Sequence, residues 1–130
     1  MSIVSVKVTR KRKGVIHVPR AVGCAVNPGT NLISIEYNRK DNYGIDPGVN
    51  VFEIDGFDNP VNARNAELIE WVKACNGENI VVHCEMGMKR SKQVALWIIE
   101  HFGYHMMDTL EFQRPCNGQW VRYKRYQSGV

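Results

Sequence analysis

Five consecutive residues, Asn79-Ile80-Val81-Val82-His83, constrain this chain more tightly than any other stretch. Three adjacent β-branched side chains leave a strand no polar face to turn toward water, so the segment must be covered on both sides. The periodicity changes on each flank. Upstream, Ala63, Ala66, Leu68 or Ile69, Val72 and Ala74 recur at three- and four-residue steps, with Asn62 as N-cap and Asn76-Gly77 as stop. Downstream, residues 91–102 (SKQVALWIIEHF) keep helical spacing through Val94, Ala95, Trp97, Ile98 and Phe102, with Gly103 as the C′ residue. Helix, buried strand and helix in succession predict an α/β fold, a central, mostly parallel sheet of about four to five strands flanked by helices.

The other elements fit around this unit. Residues 3–8 alternate apolar and polar, 15–18 form a second short apolar piece, 32–37 (LISIEY) alternate again, and 49–54 supply a further strand. Asn27-Pro28-Gly29 and Asp46-Pro47-Gly48 are turn signals, because proline presets φ and glycine accepts positive φ. Past the second long helix, the spacing predicts helices over 108–113 and 119–126. Trp71, Trp97 and Trp120 are expected to pack helices on the sheet. A chain of 130 residues has the length of one domain, so residues 1–130 are read as a single unit.

Composition narrows the setting. With 44% hydrophobic and 23% charged residues the chain lies well away from disordered sequences. Seventeen Lys and Arg against thirteen Asp and Glu leave a net charge of +4, with cations crowded at Arg10-Lys11-Arg12-Lys13 and at Arg122, Lys124 and Arg125. These termini admit an anionic partner, but the small excess predicts solvated faces rather than a nucleic-acid surface. Cys24, Cys75, Cys84 and Cys116 match neither a zinc pattern nor a disulfide framework and read as thiols of a reducing compartment. A disulfide between Cys84 and Cys75 or Cys116 is disfavoured against plain thiols. Neither a secretory leader nor a membrane-length apolar run is evident, which predicts a soluble, cytoplasmic protein.

Between the buried strand and the second helix lies His83-Cys84-Glu85-Met86-Gly87-Met88-Lys89-Arg90-Ser91. A glycine-bearing loop at a strand end, opening into a helix N-terminus, aims backbone N–H groups and the positive end of the helix dipole at one spot. Five residues between cysteine and arginine suffice to curl around one tetrahedral dianion. The amides of Glu85, Met86, Gly87, Met88, Lys89 and Arg90 would then donate to its oxygens while the Arg90 fork holds two of them. Gly87 supplies the freedom such a curl needs. The same field favours the Cys84 thiolate, making it a nucleophile. Ser91 is placed to hydrogen-bond the sulfur, and His83 is expected to hold the loop by hydrogen bonds. Glu85 opposes the thiolate unless its side chain turns outward. Lys89 reads equally as a solvated lysine or a substrate contact, and Met86 and Met88 as an apolar rim or ordinary packing.

This loop fits every fixed position of the HCxxGxxRS signature of the cysteine-dependent protein tyrosine phosphatase superfamily, and the chain resembles its compact dual-specificity branch. The 32–35 strand, the helix before the signature and Arg114-Pro115-x-Asn117 look like counterparts of features of that branch; residues 1–30 add little. The resemblance implies a dual-specificity phosphatase-like fold and a hydrolase acting on phosphotyrosine and phosphoserine or phosphothreonine of a protein or peptide. It further implies a cysteinyl-phosphate intermediate without metal or cofactor, and an aspartate general acid on a separate upstream loop. Asp55 and Asp58 both qualify. Asp58 is favoured because it lies a few residues past a strand, in Phe57-Asp58-Asn59-Pro60, just ahead of a helix. Cys84, Arg90, Asp58 and Ser91 are then the catalytic set, with His83 in support. The alternatives are a phosphate-binding pseudophosphatase with little turnover, an enzyme for phosphoinositide or RNA 5′ phosphate, and a rhodanese-like sulfurtransferase.

Overall fold

In the computed structural model, residues 13–36, 44–55, 65–85, 88–113 and 120–124 are described. Their order is β1 (Gly14–Pro19), α1 (Arg20–Gly23), β2 (Asn31–Glu36), β3 (Asn50–Asp55), α2 (Asn65–Ala74), β4 (Ile80–Cys84), α3 (Arg90–Phe102), β5 (His105–Met106), β6 (Thr109–Gln113) and β7 (Trp120–Lys124). The expected strand at 3–8 and the Asn62 cap lie outside the described residues.

Strand β4 is buried at all five positions and sits at the centre of a five-stranded sheet ordered β3-β2-β4-β1-β5, in which every pairing is parallel. The fold is therefore α/β with helices on its sheet faces. Two apolar clusters separate across the sheet, as the strand period of two requires. Ile80, Val82 and Cys84 join Leu68 and Val72 of α2 and Val94, Ala95 and Ile98 of α3 on one face. Val81 joins Ile16, Val18 and Leu32 on the other. Trp71 seats α2 on the sheet against Phe52, ring centroids 5.7 Å apart. Trp97 also packs against this cluster and meets Phe102 and His101 of its own helix, at 5.5 and 5.2 Å. Gly103 ends α3 at φ 73°, a left-handed conformation that glycine adopts without steric cost, and its N–H returns to the Ile99 carbonyl.

The helices expected at 108–113 and 119–126 are not helices. Residues 109–113 and 120–124 form an antiparallel pair, with Phe112 in register with Val121 and Glu111 with Arg122. Thr109-Leu110-Glu111-Phe112-Gln113 and Val121-Arg122-Tyr123-Lys124 both alternate with a period of two, and the two segments carry β-branched and aromatic residues. Five residues are too few for a helical period to establish itself against that pattern.

Across the amino-terminal edge of the sheet, asparagine side chains link four strands. Gly14 N–H donates to Asn79 Oδ1 at 2.9 Å, Asn31 Nδ2 donates to the Asn79 carbonyl at 3.3 Å, and Asn50 Nδ2 donates to Asn31 Oδ1 at 2.9 Å. These bonds tie together the edge at which β1, β4, β2 and β3 begin. Replacing Asn79 with alanine strands the partly buried Gly14 N–H and is expected to cost about 1–2 kcal/mol. Urea unfolding checks this, and an unchanged midpoint would remove the ladder's structural role.

Candidate active site

In a parallel sheet all strands end at one edge, and open α/β folds bind ligands beyond those carboxyl ends. Strand β4 delivers Cys84 to that edge, and only residues 85–89 separate it from the first residue of α3. So short a connection turns the helix N-terminus back onto the strand end. Its first-turn amides lack intrahelical acceptors, and no side chain caps them at Lys89. Sulfur takes one of these places. Ser91 N–H donates to Cys84 Sγ at 3.4 Å, and the Cys84 thiol donates to Ser91 Oγ at 3.2 Å. Both residues are buried, Cys84 at 3% exposure and Ser91 at 0%.

Glu85 is exposed, so its carboxylate is turned to solvent, away from the buried sulfur. Met88 is 63% exposed, Lys89 is exposed, and Arg90 opens α3 half-buried. Met86, Gly87 and Asp58 lie outside the described residues. Asp55 is the last residue of β3, paired in register with Glu36, so its backbone reaches the same edge as Cys84 with β2 lying between. Among the described residues, no three His, Cys, Asp or Glu side chains gather as metal ligands. No described helix is long and apolar enough to cross a membrane.

His83 does not act as the sequence reading expects. Its side chain points to the face opposite Cys84, is fully buried, and neither ring nitrogen has a hydrogen-bond partner. It packs against α1. A Cβ on Gly23 of α1 would lie 2.6 Å from the ring, so glycine is required for α1 to close over β4. Burial, and then the nearby Arg20 charge, lower the His83 pKa to about 4.

Arg20 is a second residue that sequence reasoning missed. Its backbone N–H donates to the Glu85 carbonyl at 3.3 Å, tethering the first loop residue to the start of α1. Pro19, in register with Cys84, sets up this contact at φ −71° and ψ 161°. His17, buried and in register with Val82, is a third. The only sequence signal was Pro19-Arg20 directly after an apolar strand.

Cys75 lies in the turn leading to the amino end of β4, and burial followed by the Glu78 carboxylate raises its pKa to about 11. The strand separates it from Cys84 by roughly 13 Å along its length, beyond disulfide reach. Cys116 lies outside the described residues. Comparison with protein-family models, curated proteins and solved structures returns no match.

Two predictions follow from this geometry. A histidine with a folded pKa near 4 and an unfolded pKa near 6.5 stabilises the fold fully above pH 6.5, and this contribution falls away as pH drops toward 4. The span corresponds to ~3 kcal/mol. Urea midpoints of wild type and His83→Gln should therefore diverge less at pH 4.5 than at pH 7, as near these values the linkage requires; parallel curves would refute the buried neutral imidazole. Separately, Arg20→Pro removes only a backbone donor and a side chain, since proline suits a first helical position after an extended residue. Arg20→Ala keeps the donor. If the tether positions the loop, inorganic phosphate binding by isothermal titration should weaken more in Arg20→Pro than in Arg20→Ala; equal losses would assign the effect to the guanidinium.

Proposed function

We propose that the protein is a cysteine-dependent phosphoester hydrolase, a dual-specificity protein phosphatase working through a cysteinyl-phosphate. The observation that supports it best is the Cys84 sulfur at the mouth of the central parallel strand, receiving the Ser91 N–H and lying 3.2 Å from the Ser91 hydroxyl at a helix N-terminus. A hydrogen-bond donor and an aligned helix dipole at sulfur favour the anion over the thiol.

In this reading the Cys84 thiolate attacks phosphorus in line, forming the S–P bond as the P–O bond to the leaving group breaks. Arg90 and the loop amides stabilise the equatorial oxygens. Asp58 gives its proton to the departing oxygen, then as carboxylate takes one from the water that cleaves the S–P bond. Ser91 Oγ turns its hydrogen toward sulfur in that second step and stabilises the departing thiolate. In this reading the substrates are phosphoserine and phosphothreonine besides phosphotyrosine.

Release of p-nitrophenol from its phosphate ester tests this. Cys84→Ser should fall to background, and Arg90→Ala should lower kcat by about a hundredfold to a thousandfold. In pH profiles of kcat/KM, Asp58→Asn should lose the basic limb while Asp55→Asn keeps it. Phosphate binding without turnover would replace the enzyme by a binding module, and sulfur transfer from thiosulfate to cyanide would replace the reaction.

A further inference from the structure

At the edge opposite Cys84, where the strands begin, an open groove of about 560 Å³ runs between α2, the end of α3 and the start of β1. Val72, Phe102 and Tyr104 give it apolar walls, and Lys13 and Lys73 lie along its lining. Lys13, like Asn76 at φ 55°, has a strained backbone. It is held at φ 61°, in the left-handed region, where a residue with a Cβ carries a cost of about 1 kcal/mol that glycine avoids. Its backbone is fixed from both sides: its N–H donates to the Gly77 carbonyl at 2.8 Å, and its carbonyl accepts from His105 N–H at 2.8 Å. The Lys13 ammonium reaches back to Gly103, the residue that ends α3, where the negative end of the helix dipole steadies it. No carboxylate among the described residues pairs with it. Lys73 meets Glu70 at 3.9 Å, but both side chains are largely solvated, a weak pairing that a ligand can displace.

We propose that this groove docks an acidic segment of the protein substrate, a stretch in which carboxylates alternate with apolar side chains. Lys13, held by its backbone, and the solvated Lys73 beside an apolar floor suit such a peptide. A nucleic acid draws its affinity from many successive phosphate contacts, and among the described residues the groove offers two cations. The groove lies the length of the sheet away from Cys84, so an occupant there belongs to the substrate protein beyond its phosphoester. Turnover of a small ester is accordingly independent of it. That the docked protein is a substrate rests on the phosphatase reading; that the groove binds acidic chain does not.

The probe is a fluorescein-labelled random copolymer of glutamate and tyrosine without phosphate, followed by fluorescence anisotropy on the full chain. Lys13→Asn keeps a residue tolerant of the left-handed region and removes the charge, and Lys73→Ala removes the second. Each should raise Kd by about twofold to fivefold, and added salt should weaken binding of the wild type, while hydrolysis of p-nitrophenyl phosphate stays unchanged in both. Unchanged copolymer affinity in both variants overturns the proposal, as does a single-stranded RNA that binds with equal affinity and the same losses. Copolymer binding with the expected losses in a protein that hydrolyses no p-nitrophenyl phosphate would retain the docking groove and discard the phosphatase reading instead.

Discussion

The burial of β4 on both faces is the constraint from which the rest follows. A strand of Ile, Val and Val requires cover from both sides, and the chain supplies α2 and α3 over one face and α1 over the other. Because every strand pairing in this sheet is parallel, the covered strand must end at a single edge together with its neighbours. Residues 85–89 then have to reverse direction within a few ångströms of Cys84 to start α3. The sulfur meets the first turn of α3 because no longer route is available. The geometry that makes Cys84 chemically interesting is thus a by-product of covering an apolar strand with a short connection.

Two cysteines in the same apolar cluster show how much the immediate donors matter. Cys75 and Cys84 are 5% and 3% exposed, so burial alone does not distinguish them. Cys75 lies near the Glu78 carboxylate at the start of β4, and its proton is held more tightly than in water. Cys84 faces the Ser91 amide and hydroxyl at the end of the same strand. Desolvation penalises an anion at both places, and only at one does an oriented dipole answer it.

What was legible in the sequence was whatever a repeating pattern encodes over enough residues. The Ile80-Val81-Val82 run, the helical spacing through Val94, Ala95 and Ile98, and Gly103 as terminator all describe elements whose neighbours are implied by their own periodicity. Residues 109–113 and 120–124 were misread because two five-residue strands offer too short a window, although the alternation of Val121-Arg122-Tyr123-Lys124 was there to be counted. Gly23 and Arg20 were illegible for another reason. One matters because a ring from a different strand fills the place of its Cβ, and the other acts at the loop through a backbone N–H that every residue but proline possesses. His83 was found as a residue and misassigned as a role, since nothing in a sequence tells a packed imidazole from a hydrogen-bonded one.

That imidazole bears on the electrostatics of the loop above it. With its pKa lowered to about 4 by burial and then by the nearby Arg20 charge, His83 is neutral from mildly acidic pH upward. A protonated ring directly beneath the loop would add a positive charge that comes and goes with pH. A neutral, buried one contributes shape alone. The Ser91 amide donates to sulfur and the Ser91 hydroxyl accepts from it, and neither group titrates in that range. Packing His83 against Gly23 therefore does more than close α1 over the sheet: it keeps a titrating charge out of the strand position next to Cys84.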